Sequence, residues 1–308
     1  MQARPLVCAH CGKPAVSQCV RCKAAFYCRR KCQKFHWSRG GHKLKCAAAA
    51  AAFNTPANRK RLWLAAHQGH AAAALDLAVR GADVNYRHPD YRGCTPLYVA
   101  AGNGHDAVVR ALLDAGANKD LAKNTGTTPL YTAALNGRDV IVRMLLDAGA
   151  DKDLANNNTG ATPLFVAAET GRDSVVRMLL DAGADKDLTM NNGATPLFFA
   201  AQEGHGAVVR MLLDAGAEKD LARNDGSTPL FIAAQNGHDA VVRLLLDAGA
   251  DNDLATNDGA TPLFMAAQEG HATIVRALLG AGADKTRLYR GQAASYYAET
   301  DEIRSLLS

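Results

Sequence analysis

Acidic side chains are missing from the first 46 residues. That stretch holds eleven Lys or Arg and not one Asp or Glu, in a chain of 308 residues whose formal charge is +5. Residues 47–308 carry 24 basic and 30 acidic groups, a net of −6. A basic module therefore precedes an acidic body, a split that suits contact with nucleic acid, a membrane surface or an acidic peptide. Long apolar runs are missing too. No stretch of 18 apolar residues exists, which excludes a membrane-spanning helix. The opening "MQARPLVCAHC" lacks the apolar centre of a secretory signal, so a reducing location is expected, cytoplasmic or nuclear. Aromatics are scarce at 6%, against 48% hydrophobic residues. Alanine and leucine supply most of the apolar content, which points to helices. Cysteine is nearly absent beyond residue 46: seven of the eight lie in residues 8–46, and the eighth is Cys94. Thiols clustered this way in a reducing compartment read as metal ligands rather than disulfides.

What is abundant is repetition. "TPL" begins at Thr95, Thr128, Thr162, Thr195, Thr228 and Thr261, at intervals of 33, 34, 33, 33 and 33. The one extra residue falls in the polar stretch "ANNNTG", where insertion is tolerated. In the unit "GATPLFVAAETGRDSVVRMLLDAGADKDLTMNN", Thr162 can cap a helix and Pro163 suits its first position. Gly171 can end that helix in a left-handed conformation. Asp173 or Ser174 is expected to cap a second helix, whose Val175, Val176, Leu179 and Leu180 share one apolar face. Helices this short do not stand alone; stacked neighbours bury a continuous core.

This pattern, "TPLxxAAxxG" followed by "VVRxLLDAGAD", resembles ankyrin repeats across residues 58–308. The resemblance implies an α-solenoid of about seven helix-turn-helix repeats with a shortened C-terminal cap. Residues 47–57 read as an Ala-rich linker, with "NTPAN" as a hinge. The family's usual His after "TPL" is here Tyr98, Tyr131, Phe165, Phe198, Phe231 and Phe264. A typical hydrogen bond is thereby lost, and a ladder of rings is expected. The resemblance also implies protein binding on the concave face, through turn tips and first helices. Positions that differ between units are the candidates there: Lys123, Met190 and Arg223 in the turns, and Gln202, Glu203, Gln235 and Gln268 on the helices.

The N-terminal thiols are Cys8, Cys11, Cys19, Cys22, Cys28, Cys32 and Cys46. Two tetrahedral zinc sites need eight ligands, so one histidine among His10, His36 and His42 must complete the set. Each C-x2-C pair can form a knuckle aimed at one ion, and pairs spaced by x3 lie one helical turn apart. Cys28 and Cys32 are such a pair, and His42 with Cys46 is the other, which selects His42. Using His36 would leave Cys46 without a close partner, and His10 sits inside the first knuckle.

The order of these pairs resembles the MYND-type zinc finger over residues 8–46. The resemblance implies interleaved, structural sites for two Zn2+ ions. Cys8, Cys11, Cys28 and Cys32 would hold one, and Cys19, Cys22, His42 and Cys46 the other. It also implies a shallow groove for a proline-containing peptide, where the family's Gln and Trp match Gln33 and Trp37. Two features depart from the family: His36 stands in place of an Asp, and the six-residue segment "WSRGGH" is about two residues longer than the family's.

Other recurrences read as structure. His70, His105, His205, His238 and His271 precede second helices, where Arg138 and Arg172 stand in two units. Neighbouring helices lie about 8–10 Å apart, too far for one ion, so these are polar residues at helix starts. Asp114, Asp147, Asp181, Asp214 and Asp247 read as solvated helix ends. Lys152/Asp153, Lys186/Asp187 and Lys219/Asp220 are expected to pair between units. The fold expected is mostly α: a small cross-braced two-zinc finger at 1–46, then the solenoid. Because the repeat uses every residue past 58, no enzyme is expected. A monomeric, non-enzymatic adaptor for proteins is favoured, with no membrane contact. The alternative is a nucleic-acid-associated regulator acting through the basic finger.

Overall fold

Thr-Pro pairs start the first helix of each repeat. The computed structural model describes residues 51–308, together with the backbone of Ser17–Gln18 and Phe26–Tyr27. Contacts group the chain into two compact units, residues 1–124 and 125–308.

In the first unit, β1 (Ser17–Gln18) pairs antiparallel with β2 (Phe26–Tyr27), with Ser17 opposite Tyr27. Residues 51–53 are helical. Two helix pairs follow: α1 (Pro56–Gln68) with α2 (Ala71–Arg80), and α3 (Pro96–Asn103) with α4 (Asp106–Asp114). The segment expected to act as a hinge instead caps a helix. Thr55 Oγ1 accepts from the Asn58 N–H at 3.2 Å, with Pro56 at the first helical position. Asn54 Oδ1 accepts from the Asp83 N–H at 2.9 Å and from Arg59 Nε at 3.0 Å, which fastens this start to the first repeat. Lys60 and Arg61 lie inside α1, so Thr55-Pro56 supplies the cap that they lack. Between α2 and α3, residues 86–94 form a longer loop with one 3-10 turn at Pro89–Tyr91. Trp63 holds it: its buried indole donates to the Cys94 carbonyl at 3.1 Å, and its ring lies 4.4 Å from Tyr91 and 4.6 Å from His88. Cys94 is half-buried, and that burial pushes its thiol pKa up.

The second unit stacks five helix pairs. First helices are α5 (Pro129–Leu135), α7 (Pro163–Glu169), α9 (Pro196–Gln202), α11 (Pro229–Gln235) and α13 (Pro262–Gln268). Their partners are α6 (Asp139–Asp147), α8 (Asp173–Asp181), α10 (Gly206–Asp214), α12 (Asp239–Asp247) and α14 (Ala272–Gly280). First helices pack side by side in chain order, and second helices stack behind them. Each first helix begins where a buried Thr hydroxyl accepts the N–H three residues on: Thr195 from Phe198 at 3.1 Å, Thr228 from Phe231 at 3.1 Å. The apolar faces close completely. Leu197, Val208, Val209 and Leu212 are all 0% exposed. A short hairpin, β3 (Leu288–Tyr289) with β4 (Gln292–Ala293), leads through a 3-10 turn to α15 (Asp301–Leu307), which buries Ile303 and ends the stack.

Two local expectations are corrected, and a third feature is explained. Asp173 is the first helical residue of α8, and the preceding Arg172 makes no side-chain cap. Its carboxylate meets the helix N-terminus as a charge. The Ser174 hydroxyl donates instead to Asp139 Oδ2, one repeat back, at 2.6 Å. The rings make no unbroken ladder. Phe165 meets Phe199 at 4.8 Å, Phe264 meets Tyr289 and Tyr297 at 4.7 and 4.6 Å, and Phe231 has no ring partner among the described residues. The four Phe rings after "TPL" are buried in the core of their own repeats, while Tyr98 and Tyr131 are half-buried, and at Phe165 it is Phe199, one position further along the next helix, that reaches across. The extra residue in "ANNNTG" is absorbed by buried Asn156. Its Oδ1 accepts from the N–H groups of Asn158 and Thr159, while its Nδ2 donates to Thr159 Oγ1 at 2.8 Å.

Candidate functional site: the first-helix and turn face

Turns in the second unit are joined repeat to repeat. Asp153 Oδ1 accepts from the Asp185 N–H at 3.0 Å, Asp187 from Glu218 at 3.0 Å, and Asp220 from Asp251 at 3.1 Å. Lysines pair within their own turn, Lys152 with Asp153 and Lys186 with Asp187, each at 3.6 Å. The link between repeats is thus carboxylate to backbone, not the expected ion pair. Backbone N–H groups need fixed partners, whereas an exposed lysine gains little from one distant carboxylate. Farther out, Asn191, Asn224 and Asn257 side chains donate to the carbonyls of Asn158, Asn191 and Asn224 at 3.0, 3.3 and 2.8 Å. This ladder holds the turn tips in line.

The recurring histidines serve the same end. Nε2 of His205, His238 and His271 lies 3.0, 2.8 and 3.1 Å from the carbonyls of Glu169, Gln202 and Gln235, at the ends of the preceding first helices. In the first unit His105 meets the His67 carbonyl at 3.0 Å. Each imidazole fills the space over a glycine. A Cβ on Gly204, whose φ is 74°, would stand 2.7 Å from His238 Nδ1. Glycine here supplies both the left-handed turn and the clearance.

On this rigid frame lies a surface of mixed character. Phe199, Ile232 and Met265 occupy one position on α9, α11 and α13, and each is half-exposed. Three residues on, Gln202, Gln235 and Gln268 share the same helix faces. A groove runs between α13 and the turns, bordered by Phe231, Met265, Gln268, Asp225, Asp258 and Tyr289. Asp258 accepts from Thr256 Oγ1 at 2.5 Å and Tyr289 Oη at 2.8 Å. These two hydroxyls hold its carboxyl below the ordinary range. Glu169 is pushed the other way, first by burial and then by the Glu203 carboxylate. Its raised pKa gives stability that is complete below the unfolded value and lost as pH rises through the native one. Glu169→Gln should therefore raise the melting temperature at pH 7. The gain should shrink as pH falls through the ordinary glutamate range, about 4; a variant that melts lower at pH 7 would contradict this.

The sequence-derived candidates distribute as follows. Gln202, Gln235 and Gln268 line the first-helix face, and the Gln202 and Gln268 amides donate to Glu203 and Glu269 at 2.9 and 3.2 Å. Met190 and Arg223 close equivalent turns, their N–H groups donating to the Ala194 and Ser227 carbonyls. The Arg223 guanidinium lies 5.3 Å over the Phe198 ring and 3.2 Å from Asp225. Lys123, in the first unit, has its ammonium 5.1 Å over the Tyr98 ring. Phe199, Ile232 and Met265 were missed because apolar residues beside "TPL" read as core. The signal was their variability, Val99, Thr132, Val166, Phe199, Ile232 and Met265, in otherwise near-identical units.

The eight zinc-ligand candidates, with Gln33 and Trp37, lie outside the described residues. Among the described residues, no three His, Cys, Asp or Glu come together to hold a metal. The donor set, seven thiols and an imidazole, is the chemistry that structural zinc takes. The β1–β2 pair brackets part of it in sequence: Cys19 follows β1 directly and Cys28 follows β2. No helix among the described residues is long and apolar enough to cross a membrane.

Stacked helix pairs joined through their turns, with a variable first-helix face, define a helical repeat protein. The ankyrin repeat model matches in three copies, over residues 62–156, 152–223 and 215–288, and the MYND finger model matches residues 8–46. The chain belongs to the ankyrin repeat family and carries a MYND finger ahead of the array. Among solved structures, the human ASB11 ankyrin repeat domain is 30% identical, with a TM-score of 0.64, covering 72% of this chain and 98% of that one. The ankyrin repeat domain of Bcl-3, described as a unique member of the IkappaB protein family, is 28% identical, with a TM-score of 0.63, covering 70% and 98%. Ubiquitin C-terminal hydrolase 15 of Oryza sativa subsp. japonica is 54% identical over 39 residues, and ubiquitin carboxyl-terminal hydrolase 15 of Arabidopsis thaliana is 52% identical over 40. Each match takes in 13% of this chain and spans only 4% of the length of those relatives, and lies in the finger. Ankyrin repeats and MYND fingers are interaction modules, typically non-catalytic, and they indicate protein partners; the finger's family implies bound zinc.

Proposed function

We propose that the chain is a non-catalytic adaptor that holds two proteins, one at each module. In the finger, Cys8, Cys11, Cys28 and Cys32 hold one structural zinc, and Cys19, Cys22, His42 and Cys46 the other. With every position on each ion filled by protein, the metal supplies folding rather than reactivity. Gln33 and Trp37 then offer an amide and an aromatic face to a proline-containing peptide, whose backbone is already extended. The array binds its partner on the first-helix and turn face of residues 163–289. The observation that carries this reading is the row of half-exposed Phe199, Ile232 and Met265 on a frame fastened at every turn. Apolar surface held rigidly beside hydrogen-bonding amides is the make-up of a binding face. The test is affinity capture with wild type, Trp37→Ala and Ile232→Asp, followed by identification of the retained proteins. Each variant should lose a different partner. Identical captures from all three would refute the adaptor.

A further inference from the structure

We propose that the first-helix face of residues 163–269 receives an extended peptide bearing an apolar side chain at every third position, with Lys or Arg between. The inference rests on the adaptor reading and names the chemistry of its array partner.

Spacing sets the period. Phe199, Ile232 and Met265 present one half-exposed apolar group per repeat from equivalent positions on adjacent helices. Packed helices lie about 8–10 Å apart. A polyproline-type chain rises about 3.1 Å per residue with three residues per turn, so like-facing side chains recur about every 9 Å. A β-strand repeats a face about every 6.7 Å and loses step by the second helix. Phe199 is braced by the Phe165 ring at 4.8 Å, so the row begins on a fixed wall.

Charge sets the residues between. Glu169, Glu203 and Glu269 stand at the ends of α7, α9 and α13, and residues 163–169, 196–203, 229–236 and 262–269 contain no Lys or Arg. Together with Asp258 across the groove, these carboxylates make no ion pair among the described residues. Arg223 and Arg290 are nearby but engaged, Arg223 with Asp225 and Arg290 over the Tyr289 ring at 5.0 Å. A cationic chain is attracted here and an acidic one repelled. The Gln235 side-chain amide has no hydrogen bond among the described residues. An extended chain with unpaired backbone N–H and C=O groups gives it partners.

The test uses the full chain and three labelled peptides of one composition. Each carries three Leu among Lys, Gly and Ser, with the Leu spaced by three, by two or by seven residues. Fluorescence anisotropy should show the spacing of three binding at least about tenfold tighter. That binding should weaken as added salt shortens the screening length. Ile232→Asp should abolish the preference. Gln235→Lys, a change at a half-exposed position outside the core, should weaken binding about tenfold, and Arg210→Asp on α10 should not. Equal affinity for all three spacings, preference for seven, or indifference to both Ile232→Asp and Gln235→Lys would overturn the proposal. If protein capture still depends on Ile232 while no spacing is preferred, the peptide class is wrong and the adaptor stands. If capture ignores Ile232 as well, both fall.

Discussion

Phe198→Ala will lower the unfolding free energy by about 3–5 kcal/mol, the range for removing a fully buried aromatic ring. Phe198 is 0% exposed, and its ring lies 5.7 Å from Phe199 with the Arg223 guanidinium above it. Truncation removes apolar contact and leaves a cavity in a core of short helices that have little freedom to collapse. It also strips Arg223 of its ring, although Asp225 remains. In a repeat array each unit is stabilised by its neighbours, so the loss falls on the interfaces on both sides. Urea titration followed by circular dichroism should show a lower midpoint. Phe199→Ala, at a half-exposed position, should cost clearly less. A loss under about 1 kcal/mol for Phe198→Ala would mean that the ring is not part of the core.

Removing zinc will unfold residues 8–46 and leave the helices of residues 129–280 intact. A module of this size has too little core to fold by apolar burial alone, and structural zinc supplies about 10–16 kcal/mol of apparent binding energy. The array gains nothing from metal, since its order comes from buried Leu, Val and Ala and from turn-to-turn hydrogen bonds. Hydrogen exchange with and without chelator should show protection lost before residue 47 and kept after residue 129. Elemental analysis should give close to two zinc ions per chain, and one in His42→Ala. A chelated protein with protected amides in residues 8–46 would defeat the cross-braced arrangement.

Periodicity made the array legible. Thr-Pro at a fixed interval, glycines at the helix ends and the Val-Val-x-x-Leu stripe each have a local physical cause, and the helices begin and end where those causes act. Local reasoning failed where a residue's partner lies one repeat away. His238 does stand at a helix start, as expected, but nothing local showed that its ring also reaches the Gln202 carbonyl one repeat back. Lys152 and Asp153 looked like a cross-repeat ion pair, yet the carboxylate takes the Asp185 N–H. Ile232 is apolar and adjoins the buried Phe231, and nothing local marks it as half in solvent.

The sequence alone determined the repeat, its helix starts and its chain of buried leucines, because each depends on contacts within about one unit's length. Only the tertiary structure decided which apolar residues stay half in solvent, and how the turns are fastened to each other. Those depend on how one unit faces the next, and side chains some 33 residues apart meet only after the helices have stacked.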